Sequence, residues 1–186
     1  MKLRVEVSLD KSVLEFWFEE LEPKQWFVKD KCLDAMIEAR FSLLVEQARA
    51  AELSLWRATI KGRLAEIILI DQFSRNIYRD TPNSFSADPV ALVLAQEAIS
   101  LGLDKRLSPK ERSFLYMPYM HSESRLIHEQ AVKLFDQPGL EYNLEFEHKH
   151  KVIIDRFGRY PHRNKILGRT STAEELAFLE GPDSSF

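Results

Sequence analysis

The chain has 186 residues, 45% of them hydrophobic and 30% charged, and its formal net charge is −3. These values are those of one globular domain with a sizeable core. Dedicated nucleic-acid-binding domains usually carry a strong positive excess, so the net charge argues against that class. The sequence holds one cysteine, Cys32, which excludes an intrachain disulfide and favours a reducing compartment.

The first ten residues, MKLRVEVSLD, are too charged and too poor in continuous apolar residues for a signal peptide. Their alternation of apolar and other residues predicts a short extended arm over residues 1–10. Further along, the apolar run Ile67–Ile70 is bounded by Glu66 and Asp71, far short of a bilayer span. We therefore expect a cytoplasmic protein without a membrane partner.

Helical periodicity begins at residue 13 and dominates the rest of the chain. A first apolar stripe ends at Pro23, Asp30 has the residue type of an N-cap for a long second helix, and a third helix is predicted from about Ala58. The inward positions predicted for these helices are Val13, Leu14, Trp17, Phe18 and Leu21; Leu33, Met36, Ile37, Phe41, Leu44, Val45 and Ala48; and Ile60, Leu64, Ile67 and Ile68.

Capping signals mark the start of three later helices, where a polar residue precedes proline or precedes glutamate by three positions. These starts are Asp88-Pro89, Ser108-Pro109-Lys110-Glu111, and Thr172 with Glu175 or Ser171 with Glu174. Gly102 closes the first of them, and two more helices are predicted over Ser122–Phe135 and about Tyr142–Arg156. Because no convincing run of strands exists, the sequence predicts a single all-α domain over residues 1–186 with about eight helices.

One motif occurs twice, each time at the end of a predicted helix. The copies are LIDQFSRNIYR at residues 69–79 and IIDRFGRYPHR at residues 153–163. Aligned on the aspartates, both read aliphatic-aliphatic-Asp-x-Phe-small-Arg-x-x-(Tyr/His)-Arg. The match is either chance or the trace of a duplication, and the same physical reasoning applies to both cases.

The helical phase predicts that both aspartates point inward. Asp71 continues the apolar stripe of its helix, and Asp155 follows Leu144, His148 and Val152 in the same way. A carboxylate at a helix C-terminus is disfavoured by the helix dipole, and burial requires that a cation compensate it. The arginines that follow each aspartate are the candidates, namely Arg75 and Arg79 for the first and Arg159 and Arg163 for the second.

Such partly buried Asp–Arg networks have two interpretations. A carboxylate that gathers arginines often does no more than pin the loop after its helix. Alternatively, four arginines against two aspartates leave planar donors free to fork onto a phosphate or a carboxylate. The second interpretation gives six candidate ligand-binding residues: Asp71, Arg75, Arg79, Asp155, Arg159 and Arg163.

Residues 148–169 are strongly basic, with seven Lys or Arg residues against one acid, and they contain His148, His150 and His162. Glycine and proline bend this segment, and the backbone amides exposed in such bends suit an anion. A solvated basic face is the simpler interpretation. RNA contact is a further one, which ranks lower because aromatic residues are sparsely interleaved.

The segment at residues 117–123 supplies candidates for proton transfer. Pro118 interrupts or kinks the chain between two helices and places His121 and Glu123 near a helix start. Each has the chemistry of a general acid or base, and each also suits a capping role. Together with His148 and His162 they form the candidate catalytic set.

No metal site or cofactor is predicted. Glu145-x-x-His148 and Glu147-x-x-His150 each place two ligand types on one helix face, as di-iron bundles do. Such a site needs a second copy and further glutamates from facing helices, and the sequence holds no second copy.

Several strings in the chain match a known family when taken together and in order. They are Phe16-Trp17-Phe18, LIDQFSRN at residues 69–76, YMPYMHSE at residues 116–123, FGRYPHRN at residues 157–164 and LGRTST at residues 167–172. The chain resembles the bacterial "domain of unknown function 924" family over nearly its whole length. The resemblance implies an all-helical, tetratricopeptide-like set of antiparallel helix pairs and no known activity. Ser74 stands where the family pattern often has proline, and Met120 where an acidic residue is common.

Three functions remain open at this point. One is a site for an anionic small molecule, which leaves open whether the protein is an enzyme. A protein-interaction module is the second, although the chain lacks a 34-residue repeat. RNA contact through residues 148–169 is the third. The first function predicts that the two motif copies converge in one cleft with His121 and His148; the sequence leaves the oligomeric state open.

Overall fold

Helices account for all the regular secondary structure in the described part of the chain. The computed structural model describes residues 8–182 and residue 184. Most of the extended arm predicted for residues 1–10 therefore lies outside the described residues. Leu9 and Asp10, which the prediction included, already belong to the first helix, whose N-cap is Ser8.

The helical elements follow one another with short connections. Their bounds are α1 (Leu9–Glu15), α2 (Lys31–Arg49), α3 (Ile60–Ile68), α4 (Ser74–Ile77), α5 (Asp88–Ser100), α6 (Pro109–Met120), α7 (Arg125–Phe135), α8 (Glu141–Phe157) and α9 (Ala173–Leu179). A π-helix at Phe16–Glu20 continues α1, and a second at Leu69–Phe73 joins α3 to α4 without a break. Counted in this way, the described residues form eight separate helical rods, and the predicted all-α fold is confirmed.

An aromatic cluster forms the centre of the main hydrophobic core. The Phe16 ring lies 5.1 Å from Phe41, Phe41 lies 5.0 Å from Phe73, and Trp17 meets Phe114 edge-on at 5.5 Å. These rings come from the α1, α2, α3–α4 and α6 regions, so the core joins elements that are distant in sequence. Aromatic side chains bury large apolar areas, and such pairs add roughly 0.5–1.5 kcal/mol each beyond that burial.

Most of the predicted caps and inward positions are confirmed. Asp30 accepts the backbone N–H groups of Cys32 and Leu33, and both predicted capping boxes, at Ser108 and at Thr172, are present. The predicted N-cap role of Asp88 is wrong, because the helix already includes Asp88 and the carboxylate turns to an arginine described below. Met36 was predicted inward and is 47% exposed.

The predicted phase of α8 is wrong by one residue. Val152 and His148 were placed inward, but both are exposed, and the buried side chains are Glu147, His150, Ile153 and Ile154. Two of the four buried positions are ionisable, and hydrophobic periodicity cannot detect a buried polar side chain. The shift brings His150 to the inside and turns Asp155 to the outside.

Replacing Ser108 by alanine is expected to lower the free energy of unfolding by about 1 kcal/mol. Ser108 Oγ accepts the backbone N–H of Glu111, and the Glu111 carboxylate accepts the backbone N–H of Ser108 at 3.1 Å. Urea unfolding of the variant measures the loss. Ser54→Ala is the matched control, since Ser54 is exposed and does not cap its short helix; equal losses in the two variants would contradict the capping role.

Candidate functional site

A cavity of about 390 Å³ lies where the α3–α4 rod, the end of α6, α8 and the turn at Pro161–Arg163 meet. Its wall includes three arginines and three histidines, namely Arg75, Arg79, His121, His150, His162 and Arg163. Apolar and aromatic side chains complete the wall, among them Trp26, Phe27, Met117, Met120, Phe146 and Tyr160. Five of the ten sequence-predicted candidates therefore line one cavity, and Asp71 contacts two of those five.

Asp71 lies in the π-helix between α3 and α4 and is fully buried. Its carboxylate oxygen Oδ1 lies 2.7 Å from His121 Nδ1 and 3.3 Å from an Arg75 nitrogen, and Gln72 donates to Oδ2 at 2.6 Å. Burial alone would raise the pKa of Asp71, but His121 and Arg75 reverse the shift and hold this pKa at about 2. Asp71 is therefore a buried carboxylate, as the helical phase predicted.

His121 is held in one tautomer by this carboxylate. Asp71 is ionised and only accepts hydrogen bonds, so the proton between them belongs to Nδ1 of the imidazole. The neutral ring then carries its lone pair on Nε2. Burial lowers the pKa of His121, and the Arg75 charge lowers it further against the opposing effect of Asp71. His121 is thus a neutral imidazole at pH 7 in the cavity wall.

The Arg75 guanidinium makes three hydrogen bonds within the protein. It forms a bidentate pair with Asp88, with N–O distances of 3.0 and 2.9 Å, and donates to the backbone oxygen of Asp71 at 2.6 Å. Asp88 comes from the first turn of α5. Sequence reasoning gave Asp88 a capping role and missed it as the partner of Arg75.

Arg163 is buried and lacks such partners. The residue is 6% exposed, and its backbone N–H donates to the Tyr160 oxygen. Its guanidinium makes no hydrogen bond to the described residues, and the guanidinium Nε is buried. Its Nη1 lies 3.5 Å from Asp88 Oδ2, and its guanidinium lies over the Phe85 and Tyr160 rings at 4.6 Å from each centroid. Burial lowers the pKa of Arg163, and the neighbouring Arg75 lowers it further. The guanidinium is therefore held beside the cavity with its Nε–H lacking an acceptor and with Asp88 Oδ2 near its Nη1.

His150 and His162 add two further imidazoles to the wall. Burial lowers the pKa of His150 to about 3, and its Nδ1 donates to the backbone oxygen of Phe146 at 2.7 Å. Burial and the Arg163 charge lower the pKa of His162 to about 4. His162 Nδ1 is buried without a hydrogen-bond partner in the described part of the chain.

A second buried pair lies behind Tyr160. His128 and Glu147 are both fully buried, and His128 Nδ1 lies 2.6 Å from Glu147 Oε1. Burial raises the pKa of Glu147 although His128 opposes the shift. The Tyr160 hydroxyl donates to the Met120 oxygen at 2.5 Å and lies 3.2 Å from His128. This network fixes the ring of Tyr160 that Arg163 stacks on.

The second motif copy departs from the prediction. Asp155 has a side chain that is 47% exposed and pairs with Lys151, so the predicted inward carboxylate is wrong. The reason is the phase of α8 described above. Arg159 forms a bidentate pair with Glu175 in α9 instead, with N–O distances of 2.6 and 2.8 Å. In the first copy, Arg79 likewise pairs with Asp34 of α2 and not with Asp71.

Two other candidates lie away from the cavity wall. His148 is exposed on α8, so the predicted convergence of His148 with His121 is wrong, and His150 takes its place. Glu123 accepts the backbone N–H of Tyr160 at 2.7 Å and forms a bidentate pair with Arg169. Glu123 therefore holds the segment that carries Tyr160 and Arg163.

The basic excess of residues 148–169 is largely neutralised by acids. Five of the seven cations pair with carboxylates at N–O distances of 3.2 Å or less. The sixth, Arg163, lies 3.5 Å from Asp88, and the exposed Lys165 is the last. The five pairs are Lys149–Glu145, Lys151–Asp155, Arg156–Glu174, Arg159–Glu175 and Arg169–Glu123. This segment therefore does not present a continuous, unpaired basic face of the kind that binds nucleic-acid phosphates.

Two kinds of structural feature are absent from the described residues. These residues contain no cluster of three or more His, Cys, Asp or Glu side chains with an arrangement suited to a metal ion. None of their helices combines the length and apolar character that crossing a membrane requires.

Comparisons with known proteins bear on the family. Residues 13–183 match the model of the family described as "Bacterial protein of unknown function (DUF924)". No curated protein matches. A solved structure of a protein of unknown function from Agrobacterium tumefaciens is similar, with 37% sequence identity, a TM-score of 0.88, and coverage of 93% of this chain and 98% of that one. The chain therefore belongs to the bacterial DUF924 family of proteins of unknown function.

Proposed function

We propose that the cavity binds a small molecule that carries a carboxylate or phosphate group, with Arg163 as the main donor to that group. The single observation that supports this most is the state of Arg163, a buried guanidinium without a hydrogen bond to the described residues. An unsatisfied buried polar group costs roughly 1–3 kcal/mol, and more when it is charged. A bound anion would remove this cost, since carboxylates and phosphates fit the guanidinium fork.

Hydrogen-bond donors, rather than net charge, favour an anion here. Arg75 and Arg163 face Asp71 and Asp88, so these four groups are formally neutral together, and His121 is uncharged. The surplus of positive charge that the sequence suggested is offset by Asp88, which comes from another element. Arg75 makes three hydrogen bonds to Asp88 and Asp71, whereas the guanidinium of Arg163 makes none to the described residues and can donate to a ligand.

The rest of the ligand is expected to be apolar or aromatic. Trp26, Phe146 and two methionines line the wall beyond the arginines, and Phe27 is 57% exposed at the same cavity. The cavity volume lies at the lower end of the range for drug-sized ligands. An aromatic or medium-chain aliphatic acid combines these properties.

A thermal-shift series tests this function with benzoate, phenylacetate, hexanoate, phenyl phosphate and inorganic phosphate. We expect at least one organic acid to raise the melting temperature, because a ligand that binds only the folded state stabilises it by mass action. Arg163→Met should weaken this ligand by about 10- to 100-fold, given about 1.5–3 kcal/mol for hydrogen bonds to a charged group. The free variant should still fold, because Asp88 keeps its bidentate pair with Arg75 and no side-chain hydrogen bond is broken.

Arg156→Met is the matched control, because Arg156 lies in the same motif copy and forms an exposed pair with Glu174. Its ligand affinity should equal that of the parent. Two results would contradict the proposal: no stabilisation by any of the five compounds at millimolar concentration, or equal stabilisation of the parent and Arg163→Met.

A further inference from the structure

We propose that the same cavity hydrolyses carboxylic esters with an apolar acyl group, and that the Asp71–His121 pair activates the attacking water. This inference rests on the proposed function, because the acid that hydrolysis releases is the anion that Arg163 would hold. The cavity would then be a catalytic site as well as a binding site, with His121 as the general base.

The geometry of the pair is that of a general base with an orienting carboxylate. Asp71 Oδ1 accepts the Nδ1 proton at 2.7 Å, which leaves the basic nitrogen Nε2 on the side of the ring directed away from Asp71. His121 lines the cavity, whereas Asp71 is fully buried behind it. The carboxylate of a Ser-His-Asp triad holds its histidine in the same way and stabilises the imidazolium that forms.

A purely structural role explains less of this arrangement. Arg75 and Gln72 also contact the buried carboxylate, so the imidazole is not its only partner. Asp71 also lies within a five-residue π-helix. Such segments widen a helix at a cost in backbone geometry and are frequent at functional sites.

Water is the nucleophile because the described part of the cavity wall does not offer a free serine hydroxyl or a thiol. Ser84 is on the wall, but its Oγ donates to the backbone oxygen of Tyr78. The Tyr160 hydroxyl donates to Met120, and burial raises its pKa well above the usual value. Cys32 is exposed and is not part of the wall.

The reaction balances with water as the second substrate. His121 Nε2 takes one proton from water while the water oxygen forms a bond to the ester carbon, and the carbonyl π electrons move onto oxygen. The guanidinium of Arg163 stabilises that oxyanion. When the carbonyl re-forms, the bond to the alkoxy oxygen breaks, and this oxygen takes the proton from His121. The products are an acid and an alcohol, and His121 is neutral again.

The test uses the full chain and the 4-nitrophenyl esters of acetate, butyrate and hexanoate, with release of 4-nitrophenolate as the readout. We expect saturable hydrolysis whose kcat/KM rises about fourfold for each methylene that the wall covers. Hexanoate should inhibit competitively. His121→Asn should lower kcat by about 10²- to 10⁴-fold, the usual contribution of a general base, and should still be stabilised by hexanoate. His148→Asn, an exposed histidine on α8, should retain the parent rate.

The pH profile separates catalysis from structure. kcat/KM of the parent should rise with pH to a plateau as His121 loses its proton, with an inflection below 6.5, because burial lowers the pKa of His121. Asp71 is a positioning residue in this scheme. Asp71→Asn should lower kcat and move the inflection to lower pH, since the charge that favours the imidazolium is lost, whereas a merely structural loss would leave the inflection in place.

Several outcomes would overturn the inference. If hexanoate binds but the parent releases no 4-nitrophenolate above the buffer rate, hydrolysis is refuted and the binding proposal stands. If neither occurs, the proposed function itself fails. An undiminished rate in His121→Asn also overturns the inference. Should that variant not fold, an undiminished rate in Asp71→Asn overturns the inference instead.

Discussion

Replacing Arg57 by leucine is expected to lower the free energy of unfolding by about 3–5 kcal/mol, the cost of leaving a buried charge without its partner. The partner is Glu66 in the middle of α3, which is fully buried. Arg57 donates to its two oxygens from Nε and Nη2 at 2.8 and 2.6 Å. Leucine retains apolar packing but leaves the fully buried carboxylate without its cation.

Close backbone packing supports this ion pair. A Cβ atom at Gly62 of α3 would lie 2.1 Å from the backbone oxygen of Trp56, so only glycine lets the turn at Ser54–Ala58 approach α3 this closely. Arg57 is the residue after Trp56. Loss of the pair should therefore also loosen the turn from α3, whose continuation carries Asp71.

Urea unfolding measures the effect, and Arg156→Leu is the control. Arg156 pairs with Glu174 with side chains that are 50% and 61% exposed, and such surface pairs contribute only about 0–1 kcal/mol. A loss below 1 kcal/mol in Arg57→Leu, or equal losses in the two variants, would show that Glu66 finds another way to be solvated or protonated.

The inward orientation of Asp71 in the first motif copy could be predicted from sequence, because apolar residues around it define the buried face of the helix. Residues around Asp71 form a dense aliphatic stripe, and a charged residue in that phase must point inward. The arginine four residues later was the obvious partner, and Arg75 does lie 3.3 Å from Asp71. The helical period was sufficient to predict that Asp71 is buried, and the nearby positive charge was sufficient to predict that Arg75 is its partner.

The second copy could not be predicted in the same way. The buried face of α8 contains Glu147 and His150, which hydrophobic periodicity treats as solvent-facing, while Val152 is apolar and 65% exposed. His150 was therefore missed as an inward side chain. The roles of Glu147 and Asp88 were missed because the partner of each comes from another element. His128, the partner of Glu147, comes from α7, and the partner of Arg75 comes from α5.

Long-range pairing also decided which arginine is available to a ligand. A count of arginines against aspartates in the sequence left all four equivalent. In the fold, Asp34, Asp88 and Glu175 engage Arg79, Arg75 and Arg159, and Arg163 is the one without a hydrogen bond to a described residue. This difference between Arg163 and the other three arginines depends on tertiary structure, so it cannot be predicted from a single sequence.

Stability is expected to fall steeply between pH 7 and pH 5, because the cavity histidines are buried in their neutral form. Burial lowers the pKa of His150 to about 3 and that of His162 to about 4, whereas both have a pKa near 6.5 in the unfolded chain. Between these values the unfolded chain binds more protons than the folded protein, so lowering the pH favours unfolding. The two histidines together should cost up to about 2–4 kcal/mol over this interval, with solvent screening reducing the effect of His162.

The test compares unfolding free energies at pH 7, 6 and 5 in the parent and in the His150→Gln, His162→Gln double variant. The raised pKa of Glu147 acts in the opposite direction in both proteins, since the folded state retains a proton there, so the difference between the two curves isolates the histidines. His148→Gln should keep the full pH dependence, because His148 lies on the exposed face of the same helix. Parallel curves for the parent and the double variant would mean that the two imidazoles gain protons in the folded protein as readily as in the unfolded chain. The cavity would then be hydrated enough to weaken the argument that the unpaired Arg163 guanidinium needs an anion.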